Sequence, residues 1–135
     1  MDMAHPAHAN FMKSIIGKLS KDNEIILSYI DRGKLPNIVH SLFPEFRKVC
    51  VGRHTGSPRS IIIESNLIKF FKLLNLVIDE KIDIGFSFSG FVMGAVFNLR
   101  SKPNIQVEDD PERHVTFALK KFTATKLFCP PIIKN

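Results

Sequence analysis

The hydrophobic period of this chain changes at Ile82, and this change constrains the fold more than any other feature. Before it, apolar residues recur every three or four positions, most clearly between Leu67 and Val77. After it, apolar and polar residues alternate, as in the segment Ile82–Phe88. The first spacing gathers side chains on one face of a helix, and the second gathers them on one face of a strand. The pattern therefore predicts helices first and strands afterwards.

The first part is expected to hold helices separated by a basic loop. Asn10 is a good cap for the first helix, Gly33 suits the end of the second, and Pro36 suits the start of the third. Phe11, Ile15 and Leu19 are the expected buried stripe of the first helix. The predicted helices are 10–19, a second one that buries Ile25, Ile26, Tyr29 and Ile30, a short one from Pro36 to about Pro44, and Asn66–Ile78. The segment 46–60 is predicted as a loop that holds at most a short strand over 48–51, and Ser60–Glu64 as a strand.

The second part predicts two hairpins. Ser89–Gly90 is expected to join strands 82–88 and 91–99, and Asp110–Pro111 is expected to join strands 105–108 and 114–119. The predicted class is α+β, with N-terminal helices packed on a C-terminal four-stranded antiparallel meander. The expected organisation is a flexible tail at 1–9, one domain at 10–129 and a second tail at 130–135.

Composition favours an ordinary folded protein inside a cell. The 135 residues are 44% hydrophobic, which is enough for one core. Cys50 and Cys129 are too few for a disulfide framework and indicate a reducing compartment. No secretion signal is seen, and the longest uncharged run, 84–99, is short for a membrane span. We therefore expect an intracellular location, cytoplasmic or nuclear.

Positive charge is concentrated in three stretches without acidic residues, 3–21, 46–63 and 113–135. A surface built from them would attract polyanions. The segment 46–60 combines cations with glycines and hydroxyls, the groups that contact phosphate oxygens, although no Walker motif is present. The candidate anion-binding residues are Arg47, Lys48, Arg53, Arg59, Lys120, Lys121 and Lys126. Ser57, which precedes a proline between Arg53 and Arg59, is a candidate phosphorylation site, although Ser-Pro is also common in turns.

Two kinds of chemical site receive less support. Cys50 and His54 are four residues apart, but zinc needs further ligands that nothing in the sequence directs to them. Cys50 with His54 or His40 is conceivable as a nucleophile and base, without the local context of any cysteine enzyme. We therefore expect no metal, no cofactor and no small-molecule substrate.

These observations predict a non-enzymatic basic protein that contacts RNA or another polyanion through the 46–60 loop and the C-terminal lysines. Self-association through the apolar 84–99 segment is expected, which predicts a homo-oligomer. One alternative is a peripheral protein of the viral matrix type on an anionic membrane surface. Others are a small cysteine-dependent enzyme centred on Cys50 and His54, and a protein-interaction domain.

Overall fold

The computed structural model describes residues 1–57, 60–88, 90–108 and 114–129, without the side chains of 60–62. Its strands form a six-stranded parallel sheet in the order β3-β2-β1-β4-β5-β6. The strands are β1 (Asp2–Met3), β2 (Ile26–Asp31), β3 (Arg47–Arg53), β4 (Gly85–Phe88), β5 (Asn104–Val107) and β6 (Lys126–Phe128).

Helices alternate with these strands along the chain. They are α1 (Pro6–Leu19), α2 (Leu35–Leu42), α3 (Lys69–Asp79), α4 (Phe91–Leu99) and α5 (His114–Thr123), and a π-helical segment, Ser60–Ile68, precedes α3. Alternating strands and helices with this strand order define a Rossmann-like α/β fold. The predicted α+β class with a four-stranded antiparallel meander was wrong, because the strands are parallel and helices connect them.

Two compact units make up the chain. The first comprises Met1 and residues 3–72, and the second comprises Asp2 and residues 73–135. In the first, the Met1 carbonyl accepts the Ser28 N–H at 2.8 Å. In the second, Asp2 pairs with Ser87 of β4. The predicted division into a tail at 1–9, a domain at 10–129 and a tail at 130–135 stays a prediction, although β1 and the start of α1 lie within 1–9.

β2 replaces the predicted second helix. Leu27, Ser28, Tyr29 and Ile30 are all buried, so both faces of this strand are covered. A strand covered on both faces loses the alternation that identifies a half-exposed strand, and its short apolar run then resembles a buried helical segment. Gly33 does adopt the left-handed conformation, with φ of 53°, but it does so in the turn between β2 and α2.

α4 and α5 replace two of the predicted strands. In α4, buried side chains occur around most of the helix, including Val92, Met93, Val96 and Phe97. A helix that is apolar on most sides gives no helical period, and this is why 91–99 was misread. In the segment of α5, the alternation that was taken for a strand comes from apolar side chains that stay exposed, such as Val115 at 77%. The proposed turn at Asp110–Pro111 lies outside the described residues.

The remaining elements agree better with the sequence. Helices at α1, α2 and α3 and strands at β4 and β5 are confirmed. α1 begins at Pro6 rather than Asn10, and it buries Met12 and Ile16 whereas Phe11 is 49% exposed. β3 occupies about half of the predicted basic loop, and a π-helical segment stands where Ser60–Glu64 was expected to be a strand. No helix among the residues that the structure describes combines the length and hydrophobicity needed to cross a bilayer.

Candidate functional site

The carboxyl ends of β1, β2 and β3 lie at one edge of the sheet in the first unit, because parallel strands end together. In doubly wound sheets, ligands bind outside this edge. The segments that follow the three strands begin at Ala4, Arg32 and His54. We call Ala4, His5, Arg32 and Gly33 the basic edge.

Two histidines fix the chain where β1 passes into α1. His5 is the N-cap of α1, and its Nδ1 accepts the Ala7 N–H at 3.3 Å. His8 is buried, and its Nδ1 accepts the Ala4 N–H at 3.2 Å. A neutral imidazole whose Nδ1 accepts carries its hydrogen on Nε2. His5 therefore presents an Nε2–H donor, for which no described residue provides an acceptor.

Arg32 extends the basic edge from the end of β2. Its Nη1 donates a long hydrogen bond of 3.5 Å to the Ala4 carbonyl, which ties the guanidinium to the loop that carries His5. Its other N–H donors have no acceptor among the described residues. Gly33 follows in the left-handed conformation, which lets the chain turn at once into α2. The turn therefore holds Arg32 beside Ala4 at the carboxyl edge.

Arg53 and His54 continue this edge beyond β3 but are engaged differently. The Arg53 Nε lies 3.3 Å from Asp31 Oδ2, in a pair whose side chains are 64% and 45% exposed. The His54 N–H donates to the Asp31 carbonyl at 2.9 Å, and the His54 Nδ1 accepts the Gly56 N–H at 3.2 Å. These contacts fasten the end of β3 to the end of β2.

The chemistry of the basic edge favours an anion held by side chains. The sequence after β1 is Ala-His-Pro-Ala-His and contains no glycine, so it lacks the G-x-G-x-x-G motif by which backbone amides approach a dinucleotide. At the start of α1, Pro6 has no N–H and the Ala7 N–H already bonds to His5. Guanidinium and imidazole donors are consequently the groups left to hold phosphate oxygens.

In the second unit, the carboxyl end of β5 carries a buried ion pair. The Lys120 Nζ lies 2.5 Å from Glu108 Oε2, and the two side chains are 0% and 3% exposed. The same ammonium donates to the Val107 carbonyl at 3.4 Å. A buried pair of this kind is stable only because each charge is compensated.

A polar layer lies beside this pair, formed by Asn104, Gln106 and Thr123. Gln106 Nε2 donates to Asn104 Oδ1 at 3.0 Å and to Thr123 Oγ1 at 3.3 Å. Gln106 Oε1 is buried without a hydrogen-bond partner among the described residues. Gly94 makes room for the layer, because a Cβ there would overlap Gln106 Nε2 and lie 2.8 Å from Thr123 Oγ1.

The predicted anion-binding residues of the first unit are not gathered in one place. Arg47 and Arg53 are the first and last residues of β3, about 20 Å apart at the rise of an extended strand. The Lys48 Nζ donates to the carbonyls of Phe43, Pro44 and Phe46 at 2.7, 3.2 and 2.7 Å. Arg59 lies outside the described residues. Ser57 is exposed, and its phosphorylation stays a prediction.

The predicted lysines of the second unit also take different roles. Lys120 is buried against Glu108, whereas Lys121 is exposed and lies 4.6 Å from the centroid of the Phe117 ring. Lys126 is exposed at the start of β6. Anion binding by any of these residues stays a prediction.

Cys50 and the histidines do not form the conjectured nucleophile and base. The Cys50 Sγ is 3.5 Å from the Gly52 carbonyl, and His54 instead bonds to Gly56. His40 Nε2 lies 3.2 Å from the Tyr29 hydroxyl. Burial raises the pKa of Tyr29, and Cys50 and Asp31 raise it further. Within the described residues, no three His, Cys, Asp or Glu side chains form a group that could hold a metal ion.

The residues of the basic edge were not predicted from the sequence. His5 was assigned to a tail, and Arg32 and Gly33 were read as the end of a helix. The available signal was the short run 25–30, rich in β-branched and aromatic residues and bounded by Asp31 and Gly33, which also fits a strand that ends in a turn.

Comparison with known proteins gives a likeness in fold. No protein family and no curated protein sequence matches the chain. A solved structure from Listeria monocytogenes, described as a candidate UDP-N-acetylglucosamine 2-epimerase, superposes with a TM-score of 0.71 over 96% of this chain, at 14% identity. The chain spans 38% of that structure's length. At this identity, the likeness shows the fold alone.

This fold corrects the predicted function. The prediction of a basic protein that contacts RNA was wrong, and so were the alternatives of a matrix-like membrane protein and an enzyme centred on Cys50 and His54. The finding that overturns them is the parallel α/β fold shared with a candidate sugar-modifying enzyme. Self-association, and binding to a polyanion or to an anionic membrane surface, stay predictions.

Proposed function

We propose that this chain is the Rossmann-like part of an enzyme that acts on a nucleotide sugar, and that its basic edge holds the diphosphate. The observation that carries the proposal is the placement of Arg32 and His5 together around Ala4, both with N–H donors that no described residue accepts. The fold of the Listeria protein, whose description names a UDP-sugar, supports this choice of ligand class.

The negative charge of a diphosphate suits the donors of the basic edge. A guanidinium donates two parallel hydrogen bonds to phosphate oxygens, and an imidazole N–H adds a third direction. Both donors lie where doubly wound sheets bind their ligands, and both are anchored by the backbone of Ala4 and Ala7. Anchored donors lose little conformational entropy on binding, so more of the interaction energy contributes to affinity.

Calorimetric titration with UDP, UDP-N-acetylglucosamine and uridine tests the proposal. Both diphosphates should bind, whereas uridine should bind far more weakly because it lacks phosphate. Arg32→Gln should weaken UDP binding about 10- to 100-fold, the usual effect of losing a charged hydrogen bond. His5→Asn should weaken it less, because it removes the Nε2–H while asparagine remains a good helix cap.

Arg100→Gln is the matched control, because Arg100 is an exposed arginine of the second unit. It should leave UDP affinity unchanged. Equal affinities for UDP in the wild type and Arg32→Gln, or the absence of any binding of UDP and UDP-N-acetylglucosamine, would contradict the proposal.

A further inference from the structure

A cleft of about 410 Å³ lies in the first unit between α1 and α2. We call it the α1–α2 cleft. The residues that line it are Asn10, Lys34, Asn37, Ile38, Ser41 and Leu42. Its volume falls within the range of ligand pockets, it is largely open to solvent, and its lining includes none of the residues of the basic edge.

Four of the lining side chains are polar and exposed. No described residue forms a hydrogen bond or an ion pair with the side chains of Asn10, Lys34, Asn37 or Ser41. They lie on two helices that pack against each other, so the cleft wall is formed by regular structure rather than by loops. The helices fix the backbone positions of these groups before a ligand arrives, whereas the exposed side chains become ordered only on binding.

The donor and acceptor types in the cleft match a carbohydrate. An asparagine amide both donates and accepts, as does a serine hydroxyl, and this is what the hydroxyls of a sugar require. Ile38 and Leu42 offer apolar surface for the C–H face of a pyranose ring. Lys34 supplies a positive charge without a carboxylate partner among the described residues, and a point charge of this kind favours an anionic group on the ligand.

The position of the cleft links it to the carboxyl edge of the sheet. Asn10 lies in the second turn of α1, and Lys34 is the N-cap of α2, so both are close to the ends of β1 and β2. We propose that the α1–α2 cleft is a carbohydrate subsite that takes a hexose bearing a phosphate or carboxylate. Its assignment to a second sugar substrate of the same enzyme rests on the proposed function.

Ligand-detected saturation-transfer NMR tests this subsite, with glucose 1-phosphate as the probe. Glucuronate, glucose and inorganic phosphate are tested in parallel. Glucuronate carries a carboxylate in place of the phosphate, glucose lacks the charge, and inorganic phosphate lacks the sugar. We expect glucose 1-phosphate or glucuronate to bind about tenfold more tightly than glucose, because of Lys34. Inorganic phosphate should not compete effectively, since it lacks the sugar ring.

Four variants make the test specific. Asn37→Ala should weaken glucose 1-phosphate binding about fivefold, and Lys34→Gln should reduce it to the level of glucose. Ser41→Phe should block the cleft, because it introduces a ring at an exposed position where little packing is at risk. Lys13→Gln is the matched control for Lys34→Gln, because Lys13 is exposed on α1 but does not line the cleft, and it should change nothing.

The outcomes separate this proposal from the previous one. If Arg32→Gln weakens UDP binding about 10- to 100-fold and leaves glucose 1-phosphate binding intact, both proposals hold. If UDP never binds but the cleft variants alter hexose phosphate binding as expected, the proposed function fails and the subsite stands. Unchanged glucose 1-phosphate affinity in Asn37→Ala, Lys34→Gln and Ser41→Phe, or equal competition by inorganic phosphate, overturns the subsite.

Discussion

In the first unit, Arg32 and His5 keep N–H donors that no described residue accepts, whereas in the second unit the Lys120 ammonium is buried against Glu108. Both places lie at carboxyl ends of parallel strands, after β1 and β2 in one case and after β5 in the other. The same kind of cationic side chain therefore serves two purposes. A side chain whose donors bond within the protein stabilises the fold, and a side chain whose donors remain available can bind a ligand.

The difference shows why a count of basic residues misleads. Lys120 and Lys121 are adjacent in the sequence and were assigned the same role, yet only Lys120 is buried. Consecutive residues of a helix point about 100° apart, so one can face the sheet while the next faces solvent. Burial and pairing decide what a cation does, and both depend on tertiary structure.

Removing the buried cation should have the largest effect. Lys120→Met should destabilise the protein by about 3–5 kcal/mol, because it leaves the Glu108 carboxylate buried without its ammonium. Lys121→Met should cost no more than about 1 kcal/mol, the upper range of an exposed cation–π contact. Urea denaturation followed by circular dichroism measures both.

The double variant Lys120→Met/Glu108→Leu sharpens this prediction. It should recover much of the lost stability, because replacing both partners of a buried pair by apolar groups is far less costly than removing one. Equal losses for Lys120→Met and Lys121→Met would break the proposed contrast between a structural and an exposed lysine.

A methyl group at Gly94 should have the next largest effect. Gly94→Ala places a Cβ against Gln106 Nε2 and Thr123 Oγ1, and overpacking of this kind costs about 1–3 kcal/mol. Gln106→Ala alone removes the hydrogen bonds of the polar layer and should also destabilise. In the Gly94→Ala/Gln106→Ala protein the closer of these two contacts, with Gln106 Nε2, is relieved and the one with Thr123 Oγ1 remains, so its loss should be smaller than the sum of the single losses. Additive losses in that double-mutant cycle would show that Gly94 is not constrained by Gln106.

The smallest effect concerns Tyr29, a buried polar group of the first unit. Burial raises the pKa of its hydroxyl, and the charges of Cys50 and Asp31 add to the rise. Tyr29 is the only tyrosine and there is no tryptophan, so tyrosinate absorbance reports it directly. In the folded protein it should ionise above the ordinary pKa of about 10.

The sign of the stability effect follows from this shift. A raised folded-state pKa means that the folded protein holds its proton more tightly than the unfolded chain does. The contribution is present below about pH 10 and is lost as pH rises through the folded-state pKa. Cys50→Ser should move the titration of Tyr29 toward the ordinary value. Ionisation of Tyr29 at or below pH 10 in the wild type would be inconsistent with burial as the dominant cause.

The sequence correctly predicted the elements that bury only one of their faces. α2 and α3 bury one face, β4 begins in an alternating run, and all three were found where the period indicated. β2 and α4 are covered on most sides, so neither shows its own period, and each was assigned to the wrong type. With β2 assigned as a helix, and α4 and α5 as strands, the antiparallel meander followed.

The candidate site could not be found from the sequence for a related reason. His5 and Arg32 are 27 positions apart, and they come to the same edge only because β1 and β2 are parallel strands of one sheet. Arg53 looks equally available in the sequence but is occupied by Asp31. Only the topology distinguishes the two arginines.

The most direct test of the account is a two-dimensional ¹H–¹⁵N NMR titration of the whole chain with UDP. If the basic edge holds the diphosphate, the amide resonances of Ala4, His5 and Arg32 should shift first and saturate together. In Arg32→Gln, the shifts of the Ala4 and His5 amides should be much smaller at the same UDP concentration. Shifts confined to the second unit, or no shifts at all, would contradict the assignment of the nucleotide to the basic edge.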